Sequence, residues 1–221
     1  MRRLLPVVIV LWLALPAWAG SDFQPWTEIG VRFKLSRQFR LKFDQHFRFD
    51  EEFRGYSRHK VMPELAAVWR INKFLRLEAG YRYKAEITES QEDPYTDSWH
   101  RFHVDTRLRY RIKPFTLRYR LRLQEQFGRP FHESMKYKHT IRNKIGADFK
   151  FPCGFAPFLS GELFLRIDDP DGVLHKWRLT LGLDYEIGSH TITVFYRFEE
   201  MLGDPQDPKR HILGTGYHYA F

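Results

Sequence analysis

Cysteine is all but missing from this chain: Cys153 is the only one in 221 residues. No intramolecular disulfide can form, so other forces must hold the fold even in an oxidising compartment. Long apolar runs are just as scarce. Leu4–Pro16 is the single example, and it is shorter than the roughly 20 residues a membrane helix requires. That excludes a helical membrane protein. Helical amphipathicity is missing too, because charges recur at every second position and would ring a helix on all sides. A basic surface run is also lacking, although the net charge is +9. The basic side chains alternate with apolar ones, which argues against a nucleic-acid partner.

What the chain does have begins with Met1-Arg2-Arg3, the apolar Leu4–Pro16 and the small-x-small triplet Ala17-Trp18-Ala19. This reads as a secretory signal peptide over residues 1–19, cleaved after Ala19. Residues 20–221 then form one domain. Gly20, not cysteine, follows the cut, so no lipoprotein anchor is expected. Without Arg2 and Arg3, 34 basic residues face 27 acidic ones, a net charge of +7.

The remainder alternates with period two in eleven segments. Phe39, Leu41 and Phe43 interleave with Arg40, Lys42 and Asp44. Leu117, Tyr119, Leu121 and Leu123 interleave with Arg118, Arg120 and Arg122. Such segments are strands with one apolar and one polar face. Tight turns are expected at Ser36–Gln38, Asn72-Lys73, Lys113-Pro114, Pro152–Gly154 and Gly188-Ser189. Longer polar connections fall at Arg54–Lys60, Glu86–Ser98, Gly128–Lys136, Asp168–Gly172 and Leu202–Lys209. Short and long alternate strictly. The expected fold is all-β: an antiparallel transmembrane β-barrel of ten to twelve strands, with short periplasmic turns and longer extracellular loops. Aromatics near both ends of the outward rows, such as Phe115 and Tyr185 against Tyr83 and Trp177, suit two interfacial girdles. Antiparallel closure demands an even number of strands. Eleven segments therefore imply either that Trp26–Leu35 is no full strand or that a poorly patterned twelfth exists.

The tail Gly216-Tyr217-His218-Tyr219-Ala220-Phe221 places three aromatics on one strand face. It resembles the C-terminal insertion signal of bacterial outer-membrane barrels, matched by Gly216, Tyr219 and Phe221, with Gly214 departing where a polar residue is usual. The whole layout resembles a bacterial outer-membrane barrel family catalogued as a domain of unknown function. Trp26 in the first strand, the Arg-rich Leu117–Leu123, Tyr81-Arg82-Tyr83 and the terminal Phe221 carry that resemblance. A looser similarity runs to small porins for acidic oligosaccharides. These resemblances imply the outer membrane of a Gram-negative bacterium, with lipid, lipopolysaccharide and the barrel-assembly machinery as partners, and they supply neither cofactor nor catalytic residue.

The functional clue is the sign of the inner face. With Lys113-Pro114 as the turn, Arg109 opposes Arg118, Arg107 opposes Arg120 and Asp105 opposes Arg122. Like charges across a sheet destabilise it. Two readings compete. Carboxylates such as Glu162, Asp148, Glu78 or Asp184 reach across and close an ion-pair network. Alternatively, Arg107, Arg109, Arg118, Arg120 and Arg122 form an anion-binding wall, since guanidinium forks suit carboxylate and phosphate. A small anionic solute is then the further partner. Enzyme candidates are weak. A lipid-hydrolase His-x-Ser is not expected anywhere in the chain. Ser98-Trp99-His100 lies at a loop edge with inward parity. His139 and Asn143 share the outward face, and His103 and Asp105 make a dyad with no nucleophile. Asp168–Gly172 reads as a turn rather than a calcium loop. Neither metal nor cofactor is expected.

Overall fold

A computed structural model describes residues 22–52, 56–89, 95–130, 133–168, 174–202 and 209–221; the expected signal peptide lies outside them. Eleven strands follow one another: β1 (Asp22–Lys34), β2 (Phe39–Glu52), β3 (Tyr56–Arg70), β4 (Leu75–Glu89), β5 (Tyr95–Ile112), β6 (Phe115–Arg129), β7 (Lys136–Phe149), β8 (Phe155–Arg166), β9 (Leu174–Ile187), β10 (His190–Met201) and β11 (Arg210–Ala220). Each hydrogen-bonds to its sequence neighbours, and β1 closes the sheet onto β11. The result is a transmembrane-type β-barrel.

Short connections are built by local chemistry. Asn72 Oδ1 accepts the amides of Phe74 and Leu75, both at 2.8 Å, between β3 and β4. Ser36 Oγ does the same for Gln38 and Phe39 between β1 and β2, at 3.1 and 3.0 Å. Side-chain oxygens of this kind stand in for the missing ladder partner. Gly154 and Gly188 take φ of 89° and 59° in the β7–β8 and β9–β10 turns, a region L side chains avoid.

The distribution of polarity is inverted relative to a soluble protein. Asp105, Glu78 and Glu199 are 0–2% exposed, whereas Ile145, Leu181 and Leu65 are 56–68% exposed. A closed sheet satisfies every backbone group internally, so an apolar outer band can face lipid. Rings pair at both rims of that band. Phe33 stacks on Phe221 at 4.8 Å and Phe115 meets Phe149 at 5.1 Å near the short turns. Tyr81 meets Phe102 at 5.1 Å and Trp177 meets Phe198 at 5.2 Å toward the other rim.

Two expectations require correction. The even-strand requirement fails because the seam is parallel: β1 and β11 run the same way, in register from Asp22↔Arg210 to Arg32↔Ala220. An odd count closes a barrel if one pair is parallel, and Trp26 begins neither a truncated nor a spurious strand. Secondly, strands run on into the stretches expected as loops. β3 starts at Tyr56, β4 reaches Glu89 and β5 starts at Tyr95. The apolar alternation stops where lipid stops, but the hydrogen-bond ladder continues beyond it.

Candidate functional site

The register of β5 and β6 is the one the turn dictates. Ile112 faces Phe115, Arg109 faces Arg118, Arg107 faces Arg120 and Asp105 faces Arg122. The arginines turn to carboxylates on other positions. Arg122 grips Asp105 with Nε at 2.6 Å and Nη2 at 2.9 Å. Arg107 Nη2 donates to Asp105 and to Glu78, both at 2.8 Å. Arg120 Nη2 donates to Glu162 at 2.5 Å. Arg118 Nε lies 2.6 Å from Asp148. Arg109 makes no ion pair among the described residues, and its buried Nε lacks a hydrogen-bond partner.

Three of the four expected compensating carboxylates therefore take arginines. The fourth, Asp184, accepts from Thr193 Oγ1 at 2.7 Å. Glu162 serves several cations at once: besides Arg120 it accepts from Arg142 Nε at 3.0 Å and Arg178 Nη1 at 3.4 Å. Glu199 takes Arg178 Nε at 2.9 Å and Lys176 at 3.2 Å. Buried charges require such partners, since desolvation of an isolated ion costs several kcal/mol (order of magnitude).

Carboxylates do not match the cations in number. A cavity of about 520 Å³ occupies the lumen, with every strand contributing to its wall. Sixteen lysines and arginines line it against four carboxylates, and Glu78, Glu86, Asp105 and Glu199 meet some of these cations from outside the lining. A second cavity, of about 490 Å³, lies nearer the short turns. Arg32, Arg107, Arg120 and Lys144 line both cavities and form the neck between them. Arg32 and Lys144 make no ion pair among the described residues, and the buried Nε atoms of Arg32 and Arg120 are unpartnered.

Aromatic side chains supply further support for the cations. Arg48 lies 3.7 Å above Trp26 and Arg197 5.0 Å from it. Arg142 and Lys176 sit 4.5 Å from the Phe164 ring, and Lys84 and Lys138 sit 5.1 Å from Trp99. Ring faces attract cations electrostatically, more so where water is excluded. These rings occupy inward positions that alternation assigns to polar residues, and the sequence reading overlooks them. Their signal is an aromatic standing where a charge is due.

Glycines accommodate the rings. Across the wall runs one row: Phe158, Gly182, Phe195, Gly214, Trp26 and Arg48 on β8, β9, β10, β11, β1 and β2. A Cβ at Gly214 would lie 2.0 Å from Phe195 Cζ, and one at Gly182 would lie 2.4 Å from Phe158 Cζ. Gly214, which departs from the terminal-strand pattern, is there because Phe195 lies over it.

A family model described as "Protein of unknown function (DUF2490)" matches residues 23–201. The chain belongs to this family. Among solved structures, the beta domain of the Bordetella autotransporter BrkA is similar in fold, with a TM-score of 0.56 at 10% identity over 85% of this chain and 86% of that one. The translocator domain of the autotransporter NalP from Neisseria meningitidis overlaps 80% of this chain and 72% of its own, at 13% identity and a TM-score of 0.45. No curated protein is significantly similar in sequence.

The weak candidates in this DUF2490 chain resolve as follows. β5 runs unbroken through Ser98-Trp99-His100, so Trp99 points inward and is 6% exposed. Ser98 and His100 face out, where Tyr83 Oη lies 2.8 Å from Ser98 Oγ and Tyr81 Oη lies 2.7 Å from His100 Nδ1. The inward parity expected for this triplet holds for Trp99 alone. Asp105 is taken by arginines, and neither ring nitrogen of His103 has a hydrogen-bond partner, so the two make no dyad. Asn143 Oδ1 accepts from Tyr119 Oη at 2.8 Å on the outer face. His132-Glu133-Ser134 corrects the expectation that the chain has no His-x-Ser; it lies in the β6–β7 connection, and His132 is outside the described residues.

Asp168 accepts from Arg166 Nη2 at 2.8 Å and from the His139 amide at 3.2 Å. Burial is the largest single influence and raises its carboxyl pKa, but these bonds and the Arg166 charge together outweigh it and hold the carboxyl below its ordinary value. Residues 169–173 lie outside the described set. Of the terminal residues, Gly216 lies across from Thr193, where an added Cβ would stand 3.4 Å from Thr193 Cβ, Tyr219 meets His190 at 5.0 Å, and the Phe221 amide donates to Arg32 O at 2.9 Å.

Proposed function

We propose that this barrel resides in the outer membrane of a Gram-negative bacterium and admits small organic anions, carboxylates or acidic oligosaccharides, into its lumen. The neck carries the reading. Arg32, Arg107, Arg120 and Lys144 separate two cavities of about 520 and 490 Å³, and two of the four, Arg32 and Lys144, make no ion pair among the described residues. A ring of fixed positive charge lowers the energy of a passing anion and raises that of a cation. Guanidinium groups add bidentate recognition of carboxylate. The terminal residues Gly216, Tyr219 and Phe221 serve insertion by the assembly machinery in this reading.

The decisive experiment is single-channel recording of purified protein in planar bilayers under a salt gradient. A reversal potential of the sign for chloride or organic-acid permeation supports the proposal. A cation-selective current overturns it.

One observation favours a second reading. Arg107 and Arg120 are each held by carboxylates at 2.8 Å or less. A barrel whose lumen is filled by that network conducts nothing and serves as a structural or partner-binding wall. Absence of current from a folded, correctly inserted barrel supports this reading against the first.

A further inference from the structure

Acidic and imidazole side chains from three strands converge where β1 meets β11. In the closure register, Gly30 of β1 lies between Asp44 of β2 and His218 of β11. Two residues earlier on β1, Glu28 lies between His46 and Gly216. His218 Nε2 is 2.8 Å from Glu28 Oε1 and 3.5 Å from Asp44 Oδ1. The ligating atoms of Glu28, Asp44 and His218 all fall within 4.8 Å of one another.

Two independent features mark this as a cradle. A Cβ at position 30 would lie 2.1 Å from Asp44 Oδ1 and 2.5 Å from His218 Cδ2, so the space exists only because Gly30 has no side chain. Asp44 is 4% exposed, yet its Oδ1 accepts no hydrogen bond. A buried carboxylate oxygen that makes no hydrogen bond, with His218 Nε2 no nearer than 3.5 Å, is costly, and a cation relieves that cost.

We propose that Glu28, Asp44 and His218 bind one divalent transition-metal ion, with zinc the preferred species, and that the ion ties together β1, β2 and β11 at the parallel seam. One imidazole and two carboxylates suit zinc, and water completes a tetrahedron. Ligand atoms around zinc at about 2.0–2.1 Å stand about 3.3 Å apart; the 2.8 and 3.5 Å separations bracket that value. His46 orients the site from behind. Arg82 Nη2 lies 3.0 Å from His46 Nε2, and His46 Nδ1 lies 3.0 Å from Glu28 Oε2. With Nε2 accepting from Arg82, Nδ1 carries the proton that holds Glu28.

The competing cluster, Glu64, Glu78 and His103, lacks this advantage. Arg82 occupies Glu64, and Arg107 and Lys42 occupy Glu78. A metal there must displace guanidinium and ammonium groups. At the seam, the partners of Glu28 are histidines and Lys42 approaches Asp44 only on Oδ2, at 3.6 Å, so on the Oδ1 side the metal displaces protons.

The test uses the full chain folded in detergent micelles, stripped with EDTA and dialysed against zinc or cobalt(II) chloride. Metal per chain is counted, and barrel unfolding is followed by heat-dependent gel mobility. One equivalent of zinc should bind and raise the unfolding temperature. Cobalt(II) should show the intense visible bands of a tetrahedral site. Asp44→Asn and His218→Gln should lose the equivalent, and His103→Gln should keep it. A folded wild-type barrel that binds no metal overturns the proposal. So does binding that survives both seam substitutions or is lost with His103→Gln. If the seam variants do not fold, the wild-type cobalt spectrum decides: tetrahedral bands support the site, and a weak octahedral spectrum overturns it.

Discussion

Arg107 lies directly across the β5–β6 pair from Arg120, yet the two turn apart, Arg107 to Glu78 at 2.8 Å and Arg120 to Glu162 at 2.5 Å. Repulsion between facing guanidiniums is relieved by carboxylates on other strands. The lumen is therefore a network that combines structural pairing with leftover positive charge.

Glu162 is the most heavily shared carboxylate, accepting from Arg120, Arg142 and Arg178. Glu162→Gln leaves buried cations uncompensated and should cost about 3 kcal/mol or more. Glu186→Gln, at the exposed pair with Lys150, should cost less than about 1 kcal/mol. Denaturant unfolding in lipid vesicles compares them. Equal costs would mean that the lumen network contributes no more than a surface pair.

Selectivity and stability should separate at the neck. Arg32→Gln and Lys144→Gln remove charges that make no ion pair among the described residues, so the reversal potential should move toward zero while the unfolding midpoint stays put. Replacing Arg107 and Arg120 with Gln should move both. An unaltered reversal potential in all of these variants would remove the neck from the conduction path.

The ring-over-glycine row predicts a rescue. Gly214→Val pushes a side chain into Phe195, and overpacking of this kind costs about 1–3 kcal/mol. Adding Phe195→Ala should recover part of that loss. Refolding yield and unfolding midpoint measure it. Strictly additive losses would show that Gly214 is required for some other reason.

Leu181 is 58% exposed in the middle of β9. Arginine there would face hydrocarbon and should destabilise the inserted barrel by about 2–4 kcal/mol. Arginine in place of the inward neighbour Thr180 should not bear that lipid penalty. A Leu181→Arg barrel as stable in vesicles as the parent would contradict a lipid-facing wall.

Much of this was decided by local pattern. Alternation at period two follows from strand geometry alone, so the apolar row Leu117, Tyr119, Leu121 and the basic row Arg118, Arg120, Arg122 revealed their faces before any tertiary contact was known. Turn chemistry at Lys113-Pro114 set the register that puts Arg107 opposite Arg120. Local pattern is blind to contacts between strands far apart in the chain. Whether eleven strands close depends on the direction of the last pair, and only the folded sheet brings β1 beside β11. Glu28 and His218, 190 residues apart, come within 2.8 Å for that reason alone. The choice of Glu78 for Arg107 and Glu162 for Arg120, and the seat Gly214 offers Phe195, likewise depend on which strands lie side by side in the closed sheet and in what register, which no window along the sequence contains.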